Sequence, residues 1–254
     1  MVVALATGAI QVDWLSNIVT AVALVAAIYL WAQMYTSKLV TREEKNRLLG
    51  FIPMFISGVL FFGIFQQQFT VMTIYSDVRL DRHLFGWEIP PSLVQSINPI
   101  FIVIFSAVFA TMWTKLGDRQ WSTPVKFGVA NIVIGISLFF FLPYSGTAAN
   151  STPMYVIIFI LFLFTMAELL LSPVGNALAT KVAPVAFPSR MMAVWMMAVA
   201  MGTSLAGSLA SFYNPDDAGA ENTFFISLGV VSIVLGAILL VLSRWVVKKF
   251  STFR

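Results

Sequence analysis

The sequence predicts an all-α integral membrane protein, and three observations carry that prediction. Of its 254 residues, 59% are hydrophobic and only 10% are charged, against about 25% charged in a typical soluble domain. The apolar residues gather into seven stretches, each near the roughly 20 residues that a helix needs to cross a bilayer core. None alternates apolar and polar positions as a barrel strand would, and backbone groups left unpaired in lipid make a long apolar run a helix.

The first span runs from Trp14 to Met34. The second, Phe51 to Ser76, carries Gln66, Gln67 and Gln68 in succession. At about 100° per residue these three cannot share a face, so at least one turns into the bundle. The third, Pro91 to Thr114, opens with Gln95, Ser96 and Asn98. Pro99 frees a backbone carbonyl there that must be satisfied locally, in a hinge or a polar cavity wall. The fourth runs from Phe127 to Pro143, and the fifth from Pro153 to Thr180 with Glu168 in its middle. Ser172, Pro173 and Gly175 follow, so a bend is expected there, as a gate or a passive kink. The sixth, Met191 to Phe212, holds Trp195 and then Gly202, Ser204, Gly207 and Ser208, small residues that permit close helix packing. The seventh runs from Asn222 to Ser243.

Charge sets the expected topology. Lys38, Arg42, Lys45 and Arg47 follow the first span, and Lys115, Arg119 and Lys126 join the third to the fourth. Lys181 and Arg190 join the fifth to the sixth, and Arg244, Lys248, Lys249 and Arg254 follow the seventh. The other side keeps only Arg79 and Arg82 of the 15 basic residues. Positive charge marks the cytoplasmic face. The N-terminus is therefore expected outside and the C-terminus in the cytoplasm, with the chain multi-pass in the cell membrane. The excess of +4 reflects these anchors, and no nucleic-acid partner is expected.

Ten of the 11 acids, Asp77 among them, fall in predicted loops or at helix ends; Glu168 alone sits deep. It lies roughly 22 Å along its helix from Pro153 at about 1.5 Å per residue. A carboxylate at that depth costs about 2.5–3.5 kcal/mol and marks a substrate, ion or proton pathway by default, or else a protonated helix-to-helix hydrogen bond. With no cysteine and one histidine, no His/Cys metal cage can form, and no cofactor is expected. Intramembrane hydrolysis would need an acid pair or a nucleophile and base within reach. His83 lies in a predicted loop and Glu168 has no deep acidic neighbour, so no enzyme is expected. A seven-helix receptor stays open as the alternative. A retinal protein does not, because no lysine lies between Asn222 and Ser243.

Spans two to four and five to seven form two triplets, and Gln66 lies as far from Phe51 as Glu168 does from Pro153. The spacing points to a 3+3 inverted repeat, a hallmark of secondary transporters.

The segments QSINPIF from Gln95, STPVKF from Ser122, ELLLSPVGNALATKVAP from Glu168 and MMAVWMMAVAMGTSLAG from Met191 together resemble the C-terminal half of bacterial proton-dependent oligopeptide transporters, a branch of the major facilitator superfamily. LGDR, Leu116 to Arg119, resembles the superfamily's loop motif. The resemblance implies a linker transmembrane helix over residues 1–37, a cytoplasmic loop over 38–50 and a six-helix major-facilitator bundle over 51–254. It implies symport of di- and tripeptides with protons by alternating access. Glu168 resembles the acid that closes part of the peptide site, Asn98 the asparagine that contacts the peptide, and Trp195 the aromatic of a side-chain pocket. Gln66 falls where many members carry Glu or Asp, and Asp77 resembles an outer gate acid. Glu168, Asp77, Ser172 and Pro173 are thus candidates for proton coupling or gating. The family's N-terminal half, with its ExxER motif and basic peptide-binding residues, has no counterpart in this sequence. The chain therefore reads as a truncated or split form that needs an N-terminal partner half, or as a homodimer rebuilding a cavity.

Overall fold

The computed structural model describes residues 12–84 and 86–250. Arg254 of the expected basic tail lies outside them. Helix α1 spans Val12–Thr36 and α2 Arg42–Phe65; α2 passes through a 3₁₀ turn at Gln66–Phe69 into α3, Val71–Val78. A short ribbon of β1, His83–Leu84, and β2, Trp87–Glu88, pairs antiparallel with His83 opposite Glu88. Helices α4, Pro91–Val94, and α5, Ile97–Leu116, make up the third span. The fourth is α6, Thr123–Leu138, extended by a 3₁₀ turn at Phe139–Tyr144. The last three are α7, Met154–Val182, α8, Pro188–Ala210, and α9, Ala218–Phe250. Among the described residues, seven helical segments are long and apolar enough to cross a membrane, the number expected.

Two boundaries differ from expectation for local reasons. Most of the segment expected as a loop over 38–50 is helical, because a capping box starts α2 early. The Glu44 backbone N–H donates to Thr41 Oγ1 at 3.3 Å, and the Thr41 N–H donates to Glu44 Oε2 at 2.8 Å. Such a box satisfies two orphan donors and starts a helix ahead of its apolar stretch. The third span is not one helix but breaks at Gln95 and Ser96. Pro99 has no N–H for the Gln95 carbonyl, and that carbonyl accepts the Asn98 N–H at 3.3 Å instead.

Exchanging the two triplets preserves the main helix-to-helix contacts. Helix α2 packs on α8 as α7 packs on α5, α6 packs on α7 as α9 packs on α2, and α6 and α9 pack on each other. The α6–α9 seam is stitched by glycines. A Cβ on Gly135 would come within 2.7 Å of the Gly229 carbonyl oxygen, and one on Gly128 within 2.9 Å of that of Gly236. The two stitches map onto each other under the same exchange. Between them the Ser232 hydroxyl donates to the Asn131 carbonyl at 2.8 Å.

Helix α1 lies outside both triplets and packs antiparallel on α8. Ser204 Oγ donates to the Ser16 carbonyl at 2.5 Å and Ser208 Oγ to Asn17 Oδ1 at 2.9 Å. Near the other end Arg190 donates to Gln33 Oε1 at 2.9 Å. Ala23, Ala27 and Met34 of α1 are buried, while Val22, Val25 and Tyr29 are exposed. Ser204, Gly207 and Ser208 of span six thus serve as this helix's seat, while Gly202 packs on α2 at Val59, Phe62 and Gly63.

Candidate functional site

Helix α7 carries Thr165 and Glu168 one turn apart, hence on one face. Asn98, in the first turn of α5, is 3% exposed and donates from Nδ2 to Thr165 Oγ1 at 3.0 Å. The Thr165 hydroxyl donates in turn to the Leu161 carbonyl at 2.8 Å, so its lone pairs are free to accept from Asn98. The Asn98 side chain also interacts with the Glu168 carboxyl. Glu168 is half-buried, and its Oε2 is buried with no hydrogen-bond partner among the described residues. A carboxyl oxygen kept from water and left unpaired is costly, so the site is built for a further donor or a proton. The Pro99 break at the head of α5 brings Asn98 to α7.

The three glutamines part ways. Gln66 Nε2 donates to Thr203 Oγ1 on α8 at 3.0 Å. Gln67 is buried; it donates to the Gly63 and Ala206 carbonyls, each at 3.2 Å, and accepts from the Thr70 hydroxyl at 2.9 Å. It thereby satisfies the backbone where α2 gives way to the 3₁₀ turn. Gln68 is fully buried, and neither of its amide atoms has a partner among the described residues.

Trp195 is 1% exposed, and its Nε1 donates to Asn176 Oδ1 at 2.8 Å, two turns beyond Glu168 on α7. Its ring lies 6.3, 6.1 and 5.9 Å from those of Phe51, Phe62 and Phe127. The indole occupies the space of two missing side chains. A Cβ on Gly175 would lie 2.1 Å from Trp195 Cζ2, and one on Gly58 2.8 Å from Cζ3. Ser172 is half-buried and Pro173 exposed, and α7 runs unbroken through both. One missing N–H leaves the rest of the hydrogen-bond ladder intact, and Gly175 is explained by the tryptophan. Asp77 is exposed and reaches Arg82 at 3.4 Å, while Arg82 also pairs with Glu88 at 2.9 Å.

A second acid is buried away from the Asn98–Glu168 pair. Glu221, expected at a helix end, is 0% exposed and forms a 3.2 Å ion pair with Arg79. Its Oε2 also accepts from the Ser145 hydroxyl at 2.9 Å and the Gly146 N–H at 3.0 Å, and its Oε1 accepts from Tyr213 at 2.7 Å. Arg79 further donates to the Thr147 carbonyl and, at 2.6 Å, to that of Pro215. Burial, and then the neighbouring Glu221 carboxylate, push the Tyr213 phenol above its ordinary range. The cluster ties together the three connections at the Arg79 end of the bundle. A loop arginine beside a helix-start glutamate gives no sequence signal of pairing at such separation.

No group of three His, Asp or Glu side chains able to hold a metal occurs among the described residues. What α5 and α7 present together is a carboxyl with an unsatisfied oxygen beside an amide, a pair suited to binding and proton exchange.

The POT family pattern matches residues 3–226, most of the chain. The chain belongs to the POT family. Its similarity to a protein of Bacillus subtilis strain 168 described as the uncharacterized transporter YclF is 36% identity over 245 residues, 96% of this chain and 49% of that protein. A Di-/tripeptide transporter of Lactococcus lactis subsp. cremoris is also 36% identical, over 94% of this chain and 48% of its own length. Among solved structures, a peptide transporter POT in complex with sulfate superposes with a TM-score of 0.87 at 31% identity, covering 98% of this chain and 50% of that one. A POT family transporter in complex with 5-aminolevulinic acid gives 0.86 at 35%, covering 96% and 51%. This POT chain thus spans about half the length of the relatives it matches. It is a multi-pass membrane protein with the major-facilitator arrangement of helices.

Proposed function

We propose that the chain forms the C-terminal half of a proton-coupled di- and tripeptide symporter working by alternating access. An N-terminal half, on a separate chain or in missing sequence, would complete its cavity. The observation that carries this reading is the Asn98–Glu168 pair with its buried, unpartnered Glu168 oxygen. A peptide offers an ammonium and amide N–H groups to such an acceptor, and a lysine of the opposite half would do the same. The half-length similarity to a Di-/tripeptide transporter supports the substrate class. In this reading Asn98 and Glu168 contact the peptide, and Gln66 reaches it beside Thr203. Trp195 shapes a pocket from within the core, Glu168 exchanges the proton, and Asp77, Ser172 and Pro173 take part in gating. The basic connections would place the Lys126 end in the cytoplasm and the Arg79 end outside the cell membrane.

The test joins this chain to an N-terminal half from a related transporter and measures dialanine uptake under an inward proton gradient. The joined protein is expected to take up dipeptide, and Glu168→Gln to abolish proton-driven uptake while inserting normally. Equal uptake by both would refute the role of Glu168.

A further inference from the structure

We propose that the cavity between α5, α6 and α7 at the Lys126 end is a binding site for the phosphate headgroup of an anionic lipid of the cytoplasmic leaflet. The cavity measures about 360 Å³, within the range of about 300–1,000 Å³ usual for small-ligand sites. Its floor is cationic. Lys126, in the first turn of α6, is only 6% exposed, and Lys181 of α7 lines the same cavity. No acidic side chain lines it, and Lys126 has no carboxylate partner among the described residues. The Lys126 ammonium spends one donor on Gln120 Oε1 at 2.6 Å and sits 3.9 Å over the Trp113 ring. Of its three donors, the rest are left for a ligand. Trp113 Nε1 is buried too, with no acceptor among the described residues. A buried cation without a counter-ion and a buried N–H without an acceptor are each unfavourable alone, and one group of several anionic oxygens satisfies both.

The shape selects a lipid over a free oxyanion. From Trp113 the cavity continues two turns along α5 to Ser106, roughly 10 Å at 1.5 Å per residue. Over that distance its walls are apolar: Phe109 on α5 faces Leu169, Val174 and Leu178 on α7. Beyond them, on the same side of α5, Val103 is 76% exposed. A headgroup on the floor would lead its glycerol and first methylenes along this wall. Basic pockets between helices at the cytoplasmic side are the usual seats of anionic headgroups.

The inference rests on the orientation proposed above but not on transport. The test is native mass spectrometry of the full chain in phosphatidylglycerol or phosphatidylcholine, with inorganic phosphate as competitor. Retention of phosphatidylglycerol over phosphatidylcholine is expected. Lys126→Gln should lower its occupancy about tenfold, as expected for losing a hydrogen bond to a charged group, and Lys126→Arg should restore it. Lys181 is exposed, so Lys181→Gln should lower occupancy without affecting the fold. Equal retention of both lipids, or indifference to both glutamine variants, would overturn the site. Displacement by millimolar phosphate would overturn the lipid as occupant. Because the chain has no cysteine, Gln120→Cys reports sidedness through an impermeant maleimide. Labelling from the cytoplasmic side only supports the assigned leaflet, and labelling from outside overturns the leaflet while leaving uptake by the joined protein to be judged separately.

Discussion

Two acids, half-buried Glu168 and fully buried Glu221, show what a residue's surroundings decide. Glu168 keeps an oxygen without a partner among the described residues, whereas Glu221 accepts from Arg79, Ser145, Gly146 and Tyr213. The first has an oxygen open to a further donor, and the second is fully engaged. Removing one member of a buried pair leaves an uncompensated charge and costs about 3–5 kcal/mol, whereas replacing both with apolar groups is often nearly neutral. Glu221→Gln should therefore lower unfolding stability in detergent by about that amount, and Arg79→Met with Glu221→Leu should recover most of it. Equal losses in the single and double variants would show that Arg79 is held by the carbonyls alone. Glu168 was legible in the sequence because an apolar run surrounds it. Glu221 was not, since a glutamate after a polar turn looks like any solvated helix start. Lys126 was hidden in the same way, as one more basic residue in a basic connection.

At the scale of elements, hydropathy located all seven spans but not their interruptions. The break at Gln95 and Ser96 follows from one proline and one asparagine carbonyl-to-amide exchange, and the turn after Phe65 from hydrogen bonds of Gln67 to α2 and α8. The first is local and signalled by Pro99, but the second depends on Ala206, 139 positions away, which no window of hydropathy samples. The α6–α9 seam offers a direct check. Gly135→Val would drive its side chain into the Gly229 backbone, with an expected cost of about 1–3 kcal/mol or more, as for other overpacked contacts. Gly146→Ala, at a turn with φ of +69°, would press on the Ala218 Cβ at the head of α9 but should cost less, because a connection can shift where two packed helices cannot. Thermal unfolding of both variants in one detergent settles the order, and a larger loss at Gly146 would count against the glycine seam.

The whole molecule has two unlike ends. At the Arg79 end, charged and backbone groups bind the connections to one another, and Tyr75 adds a 2.7 Å hydrogen bond to Thr152. At the Lys126 end a cavity separates α5 from α7. Hydrogen exchange in the joined protein should thus be slower at the Gly146 and Thr152 amides, which bond Glu221 and Arg79, than in the last turns of α5, since few buried contacts mean low local stability. The reverse gradient would contradict this. Only Asn98 of α5 is buried, and an apolar helix bearing a polar site needs cover from lipid or from a second half. Co-expression with an N-terminal half should accordingly raise the yield of folded chain, and an abundant, monodisperse monomer without it would argue against partner dependence.

The Arg79–Glu221 pair also has a consequence in time. Its members stand 142 positions apart, and ribosomes add about 5–20 residues per second. Arg79 therefore waits roughly 7–28 s for Glu221 to be synthesised, even before the last span inserts. Throughout that interval the early spans must be retained by lipid, the insertion machinery or one another, and the final fastening is the last event of biogenesis.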